Sequence, residues 1–139
     1  MNASGRKRFT AYSAGSHPSG RVRPEALREL EAAHIPIEGL RSKSWDEFAK
    51  PNSPKMDFVF TVCDNAAKET CPVWPGHPVT AHWGVPDPAA VTGTSEEVQK
   101  AYRDAFFWLE NRIALFLDLP FTAIDGFALK KGLDNIGRQ

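Results

Sequence analysis

Two cysteines, Cys63 and Cys71, are the only thiols in the chain, in the stretch TVCDNAAKETCP that directly follows the apolar run DFVFTV. A redox-active pair needs its Cα atoms within about 7 Å of each other. Seven residues lie between the two cysteines. A helix over that segment would hold the thiols more than one turn apart, whereas a loop would let them meet. Asp64, Asn65 and Thr70 favour loop or cap conformations. The spacing alone leaves a redox pair, two buried thiols and a share in a metal site all open.

A metal site would combine both cysteines with His77 and His82 into a Cys₂His₂ set, which suits zinc. The histidine spacing is typical of such sites, but the cysteine spacing is wider than usual. His77 as a loop residue and His82 as a polar group on a strand explain the histidines equally well. We therefore predict no metal among the site residues.

Asp87 is the second candidate for chemistry, because it lies between two prolines in HWGVPDPAA. An aspartate on a rigid loop after a strand can act as a general acid. Turn formation alone would also account for it. No phosphate-binding loop accompanies it, since SAGSHPSG (13–20) has glycines but no lysine or arginine placed as in a P-loop.

Three segments predict strands that could position these residues. FTAYSAG (9–15) combines β-favouring residues with a terminal glycine. DFVFTVC (57–63) is a nearly continuous apolar run, typical of a strand in a parallel sheet covered on both faces. PVTAHWG (78–84) is a weaker strand. A cysteine at the carboxyl end of a parallel strand lies where α/β folds place their active sites.

The helix signals are stronger. Pro24 begins a helix that should end near His34, because Pro36 excludes Ile35 from the helical region. SWDEF (44–48) predicts one turn capped by Ser44. Thr94 and Glu97 form a capping box before the longest helix, which stops before Pro120, and a final helix covers about 124–136. The apolar face of the longest helix comprises Val98, Tyr102, Ala105, Leu109, Ile113 and Phe116. The order of elements predicts one α/β domain over 1–139.

Composition excludes several classes of protein. The 139 residues carry 17 basic and 17 acidic side chains, which argues against nucleic acid as the main partner. No apolar run approaches the roughly 18 residues that a membrane span needs. The N-terminus lacks the apolar core of a secretory signal. Two cysteines do not form a disulfide framework, so we expect a reducing, cytoplasmic location.

Taken in order, AYSAGSHPSGRV, RSKSWDEF, DFVFTVCDNA, CPVWPG and AHWGVPDPA resemble the arsenate reductases of the low-molecular-weight protein tyrosine phosphatase superfamily over essentially the whole chain. The resemblance implies a three-layer, phosphatase I-like α/β fold with a four-stranded parallel sheet and helices on both faces. In that family a first cysteine, in a C-x₅-R loop, attacks arsenate. Two later cysteines then pass the oxidation on to thioredoxin or a similar thiol reductant. Cys63 and Cys71 match these relay positions, Asp87 matches the general acid, and no cofactor is implied.

The sequence also departs from the family. The family places a strand, the C-x₅-R loop and a helix before the AYSAG segment, and MNASGRKRF aligns only with the end of that helix. We therefore expect an N-terminally truncated form that is inactive alone, without the site for arsenate or a phosphate-like oxyanion. The alternative is a non-catalytic binding module that uses the cysteine pair for arsenite or zinc. A missing central strand would expose sheet edges, so we also expect a homodimer or larger assembly through those edges.

Overall fold

A computed structural model describes residues 1, 8–62, 74–121 and 126–139 of the protein. Two short strands, β1 (Phe58–Thr61) and β2 (Val79–His82), pair in parallel. This confirms the α/β fold with a parallel sheet and helices. The helices of the described residues are α1 (Pro24–Ala32), α2 (Ser95–Leu117) and α3 (Gly126–Gly137), with 3₁₀ turns at Trp45–Phe48 and Pro88–Ala90. Within these described ranges, no helix is both long and apolar enough to cross a membrane.

Helix α1 ends through a local backbone motif. His34 adopts a left-handed conformation with φ of 58°. Its N–H donates to the Glu31 carbonyl at 3.0 Å, and the Ile35 N–H donates to the Leu30 carbonyl at 2.9 Å. These two bonds form a Schellman motif, which satisfies carbonyls that the end of the helix would leave without partners. The helix therefore stops at Ala32, two residues before the predicted end.

The predicted caps are present, with one difference. The Thr94 hydroxyl accepts a hydrogen bond from the Glu97 N–H at 3.1 Å, as the capping box requires at the start of α2. The Ser44 hydroxyl instead accepts from the Asp46 N–H at 3.2 Å. The turn that follows is a four-residue 3₁₀ helix, Trp45–Phe48, so Ser44 caps a single 3₁₀ turn and not the start of an α-helix.

One face of the sheet builds the core. Strand register places Phe58 opposite Val79 and Phe60 opposite Ala81, and alternation along each strand directs these side chains to the same face. Helices α2 and α3 cover this face, and Phe116 of α2 is 1% exposed at the centre of the aromatic cluster. Its ring centroid lies within 5.1 to 6.0 Å of the rings of Phe9, Phe58, Phe60, Trp83 and Phe121. Edge-to-face packing of this kind stabilises a core beyond simple area burial.

The opposite face carries polar side chains. Thr80 and His82 of β2 are exposed there, and the Thr61 Oγ1 and His82 Nδ1 atoms lie 2.8 Å apart across the two strands. The Val79 N–H bonds to the Asp57 carbonyl and the Trp83 N–H to the Thr61 carbonyl, so alternation turns the backbone groups of Phe58 and Phe60 toward the outer edge of β1. Among the described residues, no backbone hydrogen bond reaches that edge.

The predicted strand over FTAYSAG (9–15) is wrong for this structure. Residues 9–14 have no strand assignment, and Gly15 forms only an isolated parallel bridge with Ser44. Its N–H donates to the Lys43 carbonyl at 2.9 Å and its carbonyl accepts from the Trp45 N–H at 3.0 Å. A β-favouring sequence becomes a strand only when a neighbouring strand supplies a ladder of hydrogen bonds. Among the described residues, only Gly15 of this segment forms such a bridge.

Helix α3 approaches β2 closely. The Lys130 ammonium donates to the Thr80 carbonyl on the edge of β2 that faces away from β1. Leu133 is fully buried and Ile136 is 6% exposed, both in the core cluster. At Gly137 an added Cβ would lie 2.2 Å from the His82 carbonyl oxygen. The absence of a side chain at Gly137 is therefore what lets the end of α3 contact the carboxyl end of β2.

We expect Gly137→Ala to destabilise the protein by about 1–3 kcal/mol, because the new methyl group meets backbone that cannot rotate away. Gly132→Ala in the same helix is the matched control. Its Cβ would meet only Leu119 Cδ2, at 3.6 Å. That control should stabilise the protein by roughly 0.5–1 kcal/mol through helix propensity. Urea unfolding of both variants measures the difference, and equal effects at the two glycines would contradict the close approach.

Candidate active site

The carboxyl ends of β1 and β2 stay joined beyond the strands themselves. The Trp83 N–H donates to the Thr61 carbonyl at 2.7 Å, and the Val85 N–H donates to the Val62 carbonyl at 2.8 Å. Cys63 follows Val62 in the sequence, and Asp87 lies two residues after Val85. Val62, which precedes the predicted thiol, and Val85, which lies two residues before the predicted acid, are therefore hydrogen-bonded neighbours. They lie at the sheet edge where α/β folds bind their ligands.

Asp87 serves the turn and remains accessible. Its Oδ1 accepts a hydrogen bond from the Ala89 N–H at 2.9 Å, which caps the 3₁₀ turn that begins at Pro88. The side chain is exposed at the rim of the carboxyl edge. Turn formation and proton donation are compatible here, since a carboxyl group has a second oxygen that can carry a proton. The structure thus shows the turn role directly.

Of the other residues considered for the site, the structure describes the two histidines but not the two cysteines. Cys63 and Cys71 lie outside the described residues, so their pairing stays a prediction. His77 is exposed and adopts a left-handed conformation with φ of 50°, as expected of a turn residue. His82 points to the polar face beside Thr61. In the part of the chain that the structure describes, no group of three or more His, Cys, Asp or Glu side chains could hold a metal ion.

Arg112 supports the turn that leads to Asp87, and the sequence analysis did not identify it. This side chain of α2 is 5% exposed. Its Nη1 atom donates to the carbonyls of Trp83 at 2.8 Å and Gly84 at 2.7 Å, and its Nη2 atom donates to the Gln139 carbonyl at 3.4 Å. One guanidinium therefore joins α2, the end of β2 and Gln139, which lies two residues after α3. One feature of the sequence could have identified it: an arginine three residues after Leu109, at helical spacing within the apolar face of the helix.

Trp83 fixes the same turn from the opposite side. Its ring stacks on Phe60 with a centroid separation of 3.9 Å, and its Nε1–H donates to the Leu133 carbonyl at 3.0 Å. A tryptophan buried with its N–H satisfied has little rotational freedom. Together with Arg112, it makes the start of the Asp87 segment a rigid support.

Tyr102 belongs to the surroundings of Asp87. The ring is 9% exposed on α2, the helix that packs against the 3₁₀ turn at Pro88–Ala90. Burial raises the pKa of the Tyr102 phenol, the carboxylates of Glu25 and Asp87 raise it further, and the Arg23 guanidinium opposes them. The phenol is therefore neutral at physiological pH, and it is close enough to Asp87 for the carboxylate charge to affect it.

The sequence of this chain matches a described protein family over residues 1–124, the low molecular weight phosphotyrosine protein phosphatases. The chain belongs to this family. The match ends two residues before α3 begins at Gly126. The phosphatase-family segment thus contains both strands, α1, α2 and the Asp87 turn, while α3 adds Leu133 and Ile136 to their core.

Three relatives of this chain are each described as an arsenate reductase. An arsenate reductase of Oceanobacillus iheyensis is 34% identical over 108 residues, which are 78% of this chain and 74% of the relative. An arsenate reductase of Halalkalibacterium halodurans is 34% identical over 110 residues, 79% of this chain and 76% of the relative. An arsenate reductase of Bacillus subtilis is 33% identical over 110 residues, with the same two shares. The family assignment made from the motifs is confirmed.

Proposed function

We propose that the chain is an arsenate reductase-type protein in which Cys63 and Cys71 form a dithiol relay. The observation that carries this proposal is the likeness to relatives described as arsenate reductases across about three quarters of both chains. The described geometry supports it, since the backbone leading to Cys63 is hydrogen-bonded to the segment leading to Asp87 at the carboxyl edge of the sheet.

The relay balances the electrons of the reaction. Arsenate needs two electrons and loses one oxygen as water to become arsenite. Two thiols supply both electrons when they join in a disulfide, and they release two protons. A thioredoxin-like dithiol then attacks that disulfide, becomes oxidised itself and restores the two thiols. Such a reductant is maintained in reducing compartments, so we propose that the protein works in the cytoplasm.

Asp87 is the group that we assign to proton transfer. In the family reaction that the resemblance implies, the cysteine of a C-x₅-R loop, a motif that these 139 residues do not contain, attacks arsenate. The oxygen that leaves then needs a proton, and a carboxyl group at the rim of the site can provide one. The Asp87 side chain is exposed and is held by the Ala89 N–H through one oxygen. Arg112 and Trp83 act as positioning residues, because they hold the turn without reaching the reacting atoms.

The oxidised chain should be a substrate of thioredoxin. We expect thioredoxin and its reductase to consume one equivalent of NADPH for each mildly oxidised chain, because one Cys63–Cys71 disulfide takes two electrons. Cys63→Ser and Cys71→Ser should each lower this consumption to half an equivalent or less, since a single remaining thiol can form a disulfide only with a second chain. The measurement is the decrease of NADPH absorbance with protein in limiting amount.

Asp87→Asn is the control for this assay, because it retains the turn and leaves both thiols in place. It should consume the same equivalent of NADPH as the unchanged chain. Undiminished consumption by either serine variant would show that electrons enter the protein through another group, and the relay would then be wrong. The relay would also be wrong if the unchanged oxidised chain consumed no NADPH.

A further inference from the structure

Helix α2 carries a second apolar face, directed away from the core. Phe107, Trp108 and Leu115 are 54%, 46% and 42% exposed, a large share for side chains of this size. At 100° per residue they fall within one arc of about 100°, roughly opposite the buried face that contains Phe116. The arc defines the α2 stripe, which consists of Lys100, Asp104, Phe107, Trp108, Asn111, Leu115 and Asp118.

A groove lies in the middle of the α2 stripe. It has a volume of about 170 Å³ and is lined by Asp104, Phe107, Trp108 and Asn111. Trp108 makes a cation–π contact with Arg112, whose guanidinium carbon lies 5.4 Å from the centre of the indole ring. Exposed large apolar side chains around such a concavity make it a candidate interaction site.

The charges along the stripe select one kind of partner. Lys100 lies near its amino-terminal end, where its ammonium lies 2.8 Å from the Asp104 carboxylate of the same helix, and Asp118 lies at its carboxyl-terminal end. Both Lys100 and Asp118 are exposed. If a second copy of the helix packs antiparallel, Lys100 of each copy meets Asp118 of the other. The same two-fold arrangement places Phe107 against Asn111 of the second copy, at the groove. A parallel arrangement would instead oppose like charges, so the stripe is self-complementary in one direction only.

We propose that the α2 stripe is the interface of a symmetric homodimer with antiparallel α2 helices. The stripe extends over 18 residue steps, from Lys100 to Asp118, or about 27 Å along the helix. A contact limited to one helix face buries less than the 1,200 Å² or so of a standard interface. The dimer is therefore weak and reversible, with a dissociation constant in the micromolar range. This surface is distinct from the sheet edges that the sequence indicated.

Sedimentation velocity across a range of micromolar concentrations tests the interface. The unchanged chain should shift from monomer to dimer as concentration rises. Phe107→Glu and Leu115→Glu should each raise the dissociation constant about tenfold or more, because each replaces an apolar side chain of the contact by a charge. Leu40→Glu is the matched control, since Leu40 is 45% exposed and lies outside the stripe. It should leave the dissociation constant unchanged.

Charge reversal tests the direction of the helices. Lys100→Glu and Asp118→Lys should each weaken the dimer, and the double variant should recover most of the lost affinity. Thermal unfolding of each variant shows whether the fold is retained. A chain that stays monomeric throughout the range would overturn the proposal. A dimer that survives Phe107→Glu and Leu115→Glu would also overturn it and would direct attention to the outer edge of β1.

Discussion

The polypeptide of these 139 residues is expected to show no measurable arsenate reduction and no aryl phosphate hydrolysis when assayed alone. Neither Cys63 nor Cys71 is followed six residues later by arginine, so the sequence contains no C-x₅-R motif. Without that motif the oxyanion has no cradle of backbone N–H groups and no arginine to stabilise its transition state. Removing even one oxyanion donor can cost about 10²–10³ in rate. The loss of the whole cradle should therefore place any turnover below detection.

The assay is thioredoxin-coupled arsenate reduction, with the Bacillus subtilis relative as the positive control. The same preparation should still pass the test for a disulfide that thioredoxin can reduce, which separates an absent oxyanion site from a misfolded protein. Arsenate turnover that persists in the Cys63→Ser, Cys71→Ser double variant would reveal a different active site. Turnover that requires both cysteines would instead show that the dithiol can attack arsenate without the C-x₅-R loop.

Arg112→Ala should destabilise the protein by about 2–4 kcal/mol. The substitution removes three charge-assisted hydrogen bonds, to the carbonyls of Trp83, Gly84 and Gln139. It leaves the Trp83 and Gly84 carbonyls without their donor in a largely buried setting. It also removes the cation from the Trp108 ring. The lost contacts lie at the end of β2. The variant should therefore speed hydrogen exchange at the Val85 amide, relative to the unchanged protein, more than at the amides of α1. Chemical unfolding and hydrogen exchange give the two readouts.

Arg103→Ala is the matched control for Arg112, because it removes an arginine from the same helix. Arg103 is half exposed and only approaches Glu29, with 3.7 Å between Nε and Oε1. A long ion pair with a half-exposed cation contributes about 0–1 kcal/mol, so the control should lie close to the unchanged protein. Equal losses at the two positions would mean that the buried contacts of Arg112 do not hold the turn.

Local signals predicted the helices well, because caps, prolines and the periodicity of apolar residues mark a helix within its own segment. The Thr94 cap and Pro24 are local devices, and α1 and α2 begin where they indicate. The apolar face of α2 predicted from spacing is the face that packs inward, with Tyr102 and Phe116 buried. The end of α1 was placed two residues too late, since the left-handed conformation of His34 ends the helix before Pro36 can act.

Long-range contacts account for the parts that the sequence could not predict. FTAYSAG has strand propensity, but a strand depends on a partner that its own residues do not encode. Arg112 appears in the sequence as one more charged helix residue, and its role depends on carbonyls 28 and 29 positions away. The carboxyl edge near Asp87 was predicted correctly, because two apolar runs in a parallel sheet must end at the same edge.

The state of the two thiols after mild oxidation tests the relay most directly. The purified chain is oxidised, its free thiols are alkylated, and its peptides are mapped by mass spectrometry before and after incubation with reduced thioredoxin. The account predicts a single intramolecular Cys63–Cys71 disulfide, which disappears with thioredoxin and leaves two alkylatable thiols. Two free thiols after oxidation, or a disulfide that thioredoxin leaves intact, would contradict the assignment of these cysteines as a relay.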